Sequence, residues 1–427
     1  MMRLSQLFTK TSKESSKSDV SRNAQLLTRA GYVDRLMAGV YQYLPLGLRT
    51  LGKIENIIRE EMNAIGAQEV LMPSLHPREI WETTQRWDKV DVLYKLSSDR
   101  EGGGECDLAL GPTHEETVTP MVGSFVQSYR DLPVHVYQIQ TKFRNEPRAK
   151  SGLLRGREFR MKDMYSFHAD QADLDAFYDR AIQAYLNVYK RVGLGETTLV
   201  TFASGGVFSK YSHEFQTISP YGEDVVYRVP GTHTAINKEV IEDTDALKDI
   251  IPNYKPGDEK NLEELKAIEV GNIFKLGTRF SSAFNVSFTD KDGQVKTPVM
   301  GCYGLGPSRL MGTIAESMGD DQGLIWPEEV APYKVGIINL KVGHAEADKA
   351  SADAYAKLNA AGVEALLDDR DLSVGVKFAD MDLLGLPWQL IIGPRGLEKG
   401  AVELKQRATG ERSELSLDAA LQKLAGR

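Results

Sequence analysis

Two short proline pairs, Trp326-Pro327 and Ala331-Pro332, divide this chain into stretches of different periodicity, and that break limits the folds open to it. Beyond the break, strand-like and helix-like segments alternate. Strands are predicted at 335–340, 363–367, 390–392 and 402–405, helices at 345–361 and 375–385, and a helix at the end of the chain. Such alternation predicts an α/β domain with a largely parallel sheet. Before the break, long β segments mix with helices, which reads as α+β. Leu51, Ile54, Ile57, Ile58, Met62 and Ile65 recur at helical spacing until Gly66. Glu69 to Pro73 reads as a short strand, Val134 to Ile139 as an alternating one, and 174–192 as an amphipathic helix. With 427 residues, two domains are expected, 1–327 and 328–427.

Charge is unevenly placed. The formal sum is −8, from 52 basic and 60 acidic residues, which excludes a chain that is basic throughout but not a local basic patch. Residues 142–162 hold eight basic and two acidic residues, whereas 219–269 hold twelve acidic and six basic. The latter, broken by Pro252 and Pro256, reads as a small acidic insertion at about 219–268. Cys106 and Cys302 are too few for a disulfide scaffold or a four-cysteine zinc site. A reducing, cytoplasmic setting is the default, and no apolar run approaches the ~18–20 residues of a membrane span. Residues 1–31 faintly resemble a transit peptide, but Glu14 and Asp19 favour a folded N-terminus.

Several familiar patterns fail. Gly47 to Lys53 fits a P-loop until Ile54 replaces the hydroxyl residue that binds Mg²⁺. His114-Glu115 lacks a second His at position 118. Three other stretches carry chemistry. In the first, 142–162, Arg144 and Glu146 share one face of a strand, and the returning segment brings back Arg155 and Phe159. A guanidinium fork for phosphate or carboxylate, a carboxylate for an exocyclic amine and an aromatic face for a purine together make a nucleotide site without a P-loop. In the second, Gly301 to Arg309, glycines at a strand-to-helix turn place Arg309 in a first helical turn, where phosphate is favoured. In the third, Gly111-Pro112-Thr113-His114-Glu115-Glu116, a turn presents a hydroxyl and two carboxylates. For this stretch taken alone, a helix N-cap with acidic residues in the first turn is the favoured account.

The order and spacing of these stretches resemble the class II aminoacyl-tRNA synthetases, most closely the bacterial-type prolyl-tRNA synthetases. Ala38 to Gly47 looks like that family's N-terminal signature, and the 51–65 helix with the strand ending at Pro73 like the class II dimerisation motif. Residues 142–162 and 301–312 resemble the second and third class motifs, and Gly111 to Glu116 the amino-acid-binding loop. Asp368 to Arg370 and Gly375 to Asp380 resemble the anticodon-binding domain. The likeness runs from about residue 2 to 427 and makes residues 1–31 part of the enzyme.

The resemblance implies a catalytic domain with an antiparallel sheet, a C-terminal α/β anticodon-binding domain, and a cytoplasmic homodimer that joins L-proline to tRNA(Pro) through a prolyl-adenylate. It implies ATP and Mg²⁺ as cofactors, with no structural zinc. Arg144 would bridge the α-phosphate and the proline carboxylate, Glu146 would take the adenine amine, and Phe159 would stack on adenine. Arg155 would lie near the outer phosphates, Arg309 would grip the γ-phosphate, and Glu269 would be the acidic Mg²⁺ ligand. Thr113 and Glu115 would receive the proline ammonium, with His168 lining the ring pocket. Asp369, Arg370, Lys377 and Asp380 are candidates for reading the anticodon, although a surface ion-pair cluster explains them equally well.

Departures from the family pattern are Pro307, where an apolar β-branched residue is usual, and Asn272, where a His is frequent. The larger one is length. About 150 residues separate Arg160 from Arg309, too few for the usual editing domain, so alanine charged in error is expected to need a separate deacylase. A rival reading is a catalytically inactive paralogue that binds RNA or regulates an enzyme. The intact set of Arg144, Glu146, Phe159, Glu269 and Arg309 argues against it.

Overall fold

The computed structural model describes residues 2–15, 19–97, 106–149, 151–206 and 208–426. The chain forms two compact units that do not follow chain order. One gathers 1–37, 41–54 and 314–427, and the other 38–40 and 55–313. The expectation of a division near 327 took no account of the N-terminal segment, which packs with the distal sheet.

The larger unit is built on a nine-stranded sheet. Its strands run in the order Tyr211–Ile218, Thr198–Ser204, Thr234–Asn237, Asp224–Arg228, Glu263–Gly277, Val299–Leu305, Glu158–His168, Val134–Phe143 and Gln68–Glu69. All pairings are antiparallel except two, Thr234–Asn237 with Thr198–Ser204 and Gln68–Glu69 with Val134–Phe143. The predicted strand at 134–139 thus extends to Phe143, pairing Lys142 with Phe159 and Phe143 with Glu158. One sheet face is covered by helix Gln171–Arg191. Asp170 caps it by accepting from the Asp173 N–H, and its apolar side buries Leu174, Phe177, Ala181, Tyr185 and Val188.

The supposed acidic insertion is not an appendage. Its strands Asp224–Arg228 and Thr234–Asn237 lie inside the main sheet. Ile236, Val240, Ala246 and Leu247 form a buried cluster with Phe202. The acidic residues sit between these apolar positions, so net charge concealed an alternation that builds core.

In the smaller unit, five strands run in the order Ala365–Asp368, Val335–Asn339, Trp388–Ile392, Val402–Gln406 and Arg412–Leu415. The first three are parallel and the last two antiparallel, so the predicted parallel sheet holds for its helix-connected half. Helices Ala345–Ala360 and Leu417–Leu424 bury Ala354, Leu358, Ala420, Leu421 and Leu424 against Val335, Ile337, Leu390 and Leu404. The N-terminal segment docks at one sheet edge, where Arg3 bridges Leu367 in parallel and Tyr355 donates to the Met2 carbonyl at 3.0 Å.

Candidate active site

Strands fix the site because their side chains alternate. Along Glu158–His168, Phe159, Met161 and Asp163 line a pocket of about 490 Å³, joined by Thr113, Glu115, Arg144, Glu269, Cys302 and Arg309. Even-numbered residues face the other way. Lys162 reaches Tyr185 on the covering helix and the Tyr303 carbonyl at 3.0 Å. His168 follows the same parity. It is buried, lies 2.7 Å from Asp173 through Nδ1 and packs against Phe177 and His135. The expectation that His168 lines the ring pocket is therefore corrected. It stands nine residues from Phe159 on an unbroken strand, which puts the two on opposite faces.

Arg144 follows the last residue of its strand. Among the described residues its guanidinium makes one hydrogen bond, to the Pro112 carbonyl at 3.5 Å, and lies 5.3 Å from the Phe159 ring centre. Burial and the nearby Arg309 charge both push its pKa down, while Glu269, Glu146 and Glu115 oppose them. Arg144 thus has carboxylates near it but no ion pair with any of them among the described residues, which leaves its guanidinium donors open to an anionic ligand. Arg309 lies in the first turn of helix Pro307–Met318, donating to the Leu154 and Glu269 carbonyls at 2.8 and 2.9 Å and to Glu269 Oε2 at 3.0 Å. Pro307 suits its place, because a first helical residue needs no N–H partner and its fixed φ is already helical. Asn272 lies 3.4 Å from Glu269 Oε1.

The hairpin loop carries the remaining nucleotide candidates. Glu146 is half-buried and accepts from Arg155 at 3.1 Å, while Arg155 itself is exposed and lies 3.7 Å from Glu223. The loop is anchored at Gly39, which has φ +74° and whose carbonyl accepts from the Arg157 N–H at 2.7 Å. A Cβ there would stand 2.9 Å from that same nitrogen, so only glycine fits.

At the other end, Thr113 donates to Glu115 Oε2 at 2.6 Å and the Cys302 thiol to Glu115 Oε1 at 3.2 Å. Burial pushes the Cys302 thiol pKa well up, and Glu115 adds to it, so Cys302 is a lining group and not a nucleophile. Beneath the pocket, Lys142 is fully buried, 2.8 Å from Asp163 and 2.6 Å from His114 Nδ1. An ammonium only donates, so His114 Nδ1 is the acceptor and its Nε2–H donates to the Pro73 carbonyl at 3.0 Å. Burial and Lys142 lower the His114 pKa to about 3, keeping it neutral. Tyr165 donates to Asp163 at 2.9 Å and accepts from the His114 N–H at 2.9 Å. Sequence reasoning missed Asp163 and Tyr165, although their odd parity with Phe159 signalled both. It also missed Arg86, which no local pattern marks.

In the smaller unit, Asp369, Arg370 and Asp380 line a cavity of about 1150 Å³. Asp369 accepts from the Ser5 N–H and Oγ at 3.1 and 2.8 Å, and Asp380 from Thr11 at 2.7 Å. Arg370 is paired with Asp368 and Asp380 at 2.8 and 3.0 Å. Lys377 is fully buried and donates to the Asn339 carbonyl at 2.6 Å. It cannot touch a base, which corrects that assignment. A second cleft, of about 630 Å³, collects Lys341, His344, Arg395 and Lys399. It opens at the carboxyl ends of two parallel strands, the usual place for ligands in such sheets.

The model for the tRNA synthetase class II core domain (G, H, P, S and T) matches residues 94–318, and that for an anticodon binding domain matches 334–427. The chain is 42% identical to the proline--tRNA ligase of Rhizorhabdus wittichii over 441 residues, covering all of both chains. It is likewise 42% identical to the enzyme of Rhodospirillum rubrum over 442 residues. The chain belongs to the proline--tRNA ligase family. Its fold is similar to that of a prolyl-tRNA synthetase from Cryptosporidium parvum solved with halofuginone and AMPPNP. The TM-score is 0.76 at 19% identity, covering 95% of this chain and 78% of that one. The same enzyme solved with L-proline and AMP gives a TM-score of 0.74. Among the described residues no helix is long and apolar enough to cross a membrane.

Among the described residues no group of three or more His, Cys, Asp or Glu could hold a metal ion. Glu269, half-buried at the pocket, is already shared with Arg309, and Glu214 is linked to it through the Asn272 amide, at 3.3 and 3.4 Å. That donor set fits a Mg²⁺ carried in by phosphates and water, which needs only one or two protein carboxylates, and not a resident ion.

Proposed function

We propose that this chain ligates L-proline to tRNA(Pro) in two steps, with ATP as the energy source. The observation that carries the reading is Arg144, held under-paired between a carboxylate end at Thr113–Glu115 and a cationic end at Arg309. In the first step a proline carboxylate oxygen attacks the α-phosphorus of ATP and pyrophosphate leaves. Both reactants are anionic, so Arg144 works by holding them together and spreading the developing charge. Glu115 and Thr113 receive the proline ammonium. Phe159 stacks on adenine and Glu146 takes its amine, once Arg155 turns from Glu146 to the outer phosphates. Arg309 holds the γ-phosphate. Glu269 would hold Mg²⁺, which supplies additional charge neutralisation on the phosphates when bound. In the second step the terminal ribose hydroxyl of the tRNA attacks the prolyl carbonyl and AMP leaves.

The distal part, 328–427, serves as the anticodon-binding domain. Asp369, Arg370 and Asp380 stand at its open cavity, with Lys377 as internal support. Residues 1–327 carry the chemistry. The enzyme works as a cytoplasmic homodimer. Residues 219–268 contribute strands to the catalytic sheet and leave mischarged alanine to a separate deacylase. The inactive-paralogue alternative finds no support, because Thr113, Glu115, Arg144, Phe159, Glu269 and Arg309 line one pocket. Amino-acid-dependent exchange of pyrophosphate into ATP tests the reading. Exchange is expected with proline and more weakly with alanine. Its absence with proline, or exchange with threonine or serine alone, overturns it.

A further inference from the structure

The carboxylate proposed for the proline ammonium has a cation beside it already. Arg86 is almost fully buried, and its guanidinium is enclosed by the rings of Trp81, Phe208 and Phe280 at 5.4, 5.0 and 5.4 Å from their centres. From that cage Nη1 reaches two anions, Glu116 Oε1 at 2.7 Å and Glu115 Oε2 at 3.6 Å. Glu115 and Arg86 line the pocket, whereas Glu116 does not. Glu116 is fully buried, takes a second hydrogen bond from Thr84 at 2.9 Å and leaves its other oxygen without a partner among the described residues.

We infer that Glu116 is a positioning residue that draws Arg86 toward itself, leaving Glu115 only loosely paired at 3.6 Å and open to the amino acid's secondary ammonium. A difference of 0.9 Å separates the two contacts of Nη1, so a small shift inside the aromatic cage would let Arg86 pair fully with Glu115 if Glu116 were neutral. A fully paired Glu115 would offer an incoming ammonium a site already occupied by a guanidinium. The neighbouring arrangement follows the same rule, since Lys142 is spent on Asp163 at 2.8 Å and on His114. Lys142 therefore has its own anion, and Arg86 is held more closely by Glu116 at 2.7 Å than by Glu115 at 3.6 Å. Burial pushes the Glu116 pKa up, and the Arg86 charge opposes that rise.

The inference rests on Glu115 being the ammonium acceptor, and a charge-compensation series separates the two. KM for proline and for ATP would be read from pyrophosphate exchange by the full chain and by Glu116→Gln, Arg86→Met and the double variant Arg86→Met/Glu116→Gln, with thermal midpoints alongside. Glu116→Gln is expected to raise KM for proline about 10- to 100-fold, the usual scale for misdirecting a buried charge, with KM for ATP within about twofold. Adding Arg86→Met should recover most of that loss, because no cation then competes for Glu115, a coupling that a purely structural role does not generate. A native proline KM in Glu116→Gln overturns the inference. So does a double variant that folds but binds proline no better than Glu116→Gln. If Glu116→Gln does not fold, the double variant decides alone: near-native proline KM supports charge balancing and a large loss overturns it. Absence of proline-dependent exchange by the unmodified chain would instead overturn the underlying reading of Glu115.

Discussion

Arg144 and Arg370 are both arginines close to buried carboxylates, and they are spent very differently. Arg370 uses three nitrogens on Asp368 and Asp380, the former fully buried. Arg144 makes one long hydrogen bond to a carbonyl and leans on an aromatic ring. Arg407 repeats the first pattern, with both terminal nitrogens on Asp320 at 2.8 and 2.6 Å. A guanidinium has five donors. Where the fold consumes them the arginine is scaffold, and where it leaves them over a pocket it waits for a ligand. The sharpest way to break this contrast is Arg144→Ala. Proline-dependent pyrophosphate exchange should fall by about 10²–10³-fold, as for loss of a preorganised charge stabiliser, with an unchanged thermal midpoint. A variant that kept its activity would put Arg144 among the scaffold residues.

Arg370→Met should show the reverse. It strands Asp368, a buried anion, and should cost about 3 kcal/mol of stability, read from chemical unfolding of the whole chain. Pyrophosphate exchange should stay within about twofold of the unmodified chain under native conditions. A variant with unchanged stability and weakened tRNA charging would instead make Arg370 a recognition group.

How far the sequence told these cases apart follows from where the partners lie. Arg144, Phe159 and Arg309 were legible because motif spacing alone brings them to strand ends and a helix start. The charge count over 142–162 did not show which of its cations are paired. Lys142 is neutralised by Asp163 and Arg160 by Glu55 at 2.7 Å, partners 21 and 105 residues away, invisible until strand register is known. Asp369, in a loop, and Asp380, in helix Val374–Leu384, are tied by Ser5 and Thr11, more than 360 residues distant, so no local reading could show those groups engaged. His168 was the avoidable error, because counting in twos from Phe159 puts it on the helix-covered face.

That error supplies a milder test. His168→Gln should leave KM for proline within about twofold and lower stability by about 1 kcal/mol, the usual net worth of one hydrogen bond, here the one to Asp173. A large rise in KM would mean that the two faces of this strand are coupled more tightly than their packing suggests.

The smallest effect belongs to Asp320 and Arg407. The hydrogen bonds from Arg407 lower the Asp320 pKa from 3.8 to about 2. A folded-state value below the unfolded one means that this pair stabilises the protein above about pH 4 and loses that contribution as pH falls through 3 toward 2. The Asp320 side chain is two-fifths exposed, so solvent screens the pair and the effect is modest. Asp320→Asn should flatten the fall of the thermal midpoint between pH 4 and pH 2, the window in which the native carboxylate takes up its proton, while leaving the pH dependence of pyrophosphate exchange above pH 6 unchanged. An unaltered acid limb would mean that Arg407, nearly buried and also bonded to the Asp382 carbonyl at 3.1 Å, is held by the backbone and that its carboxylate partner adds nothing.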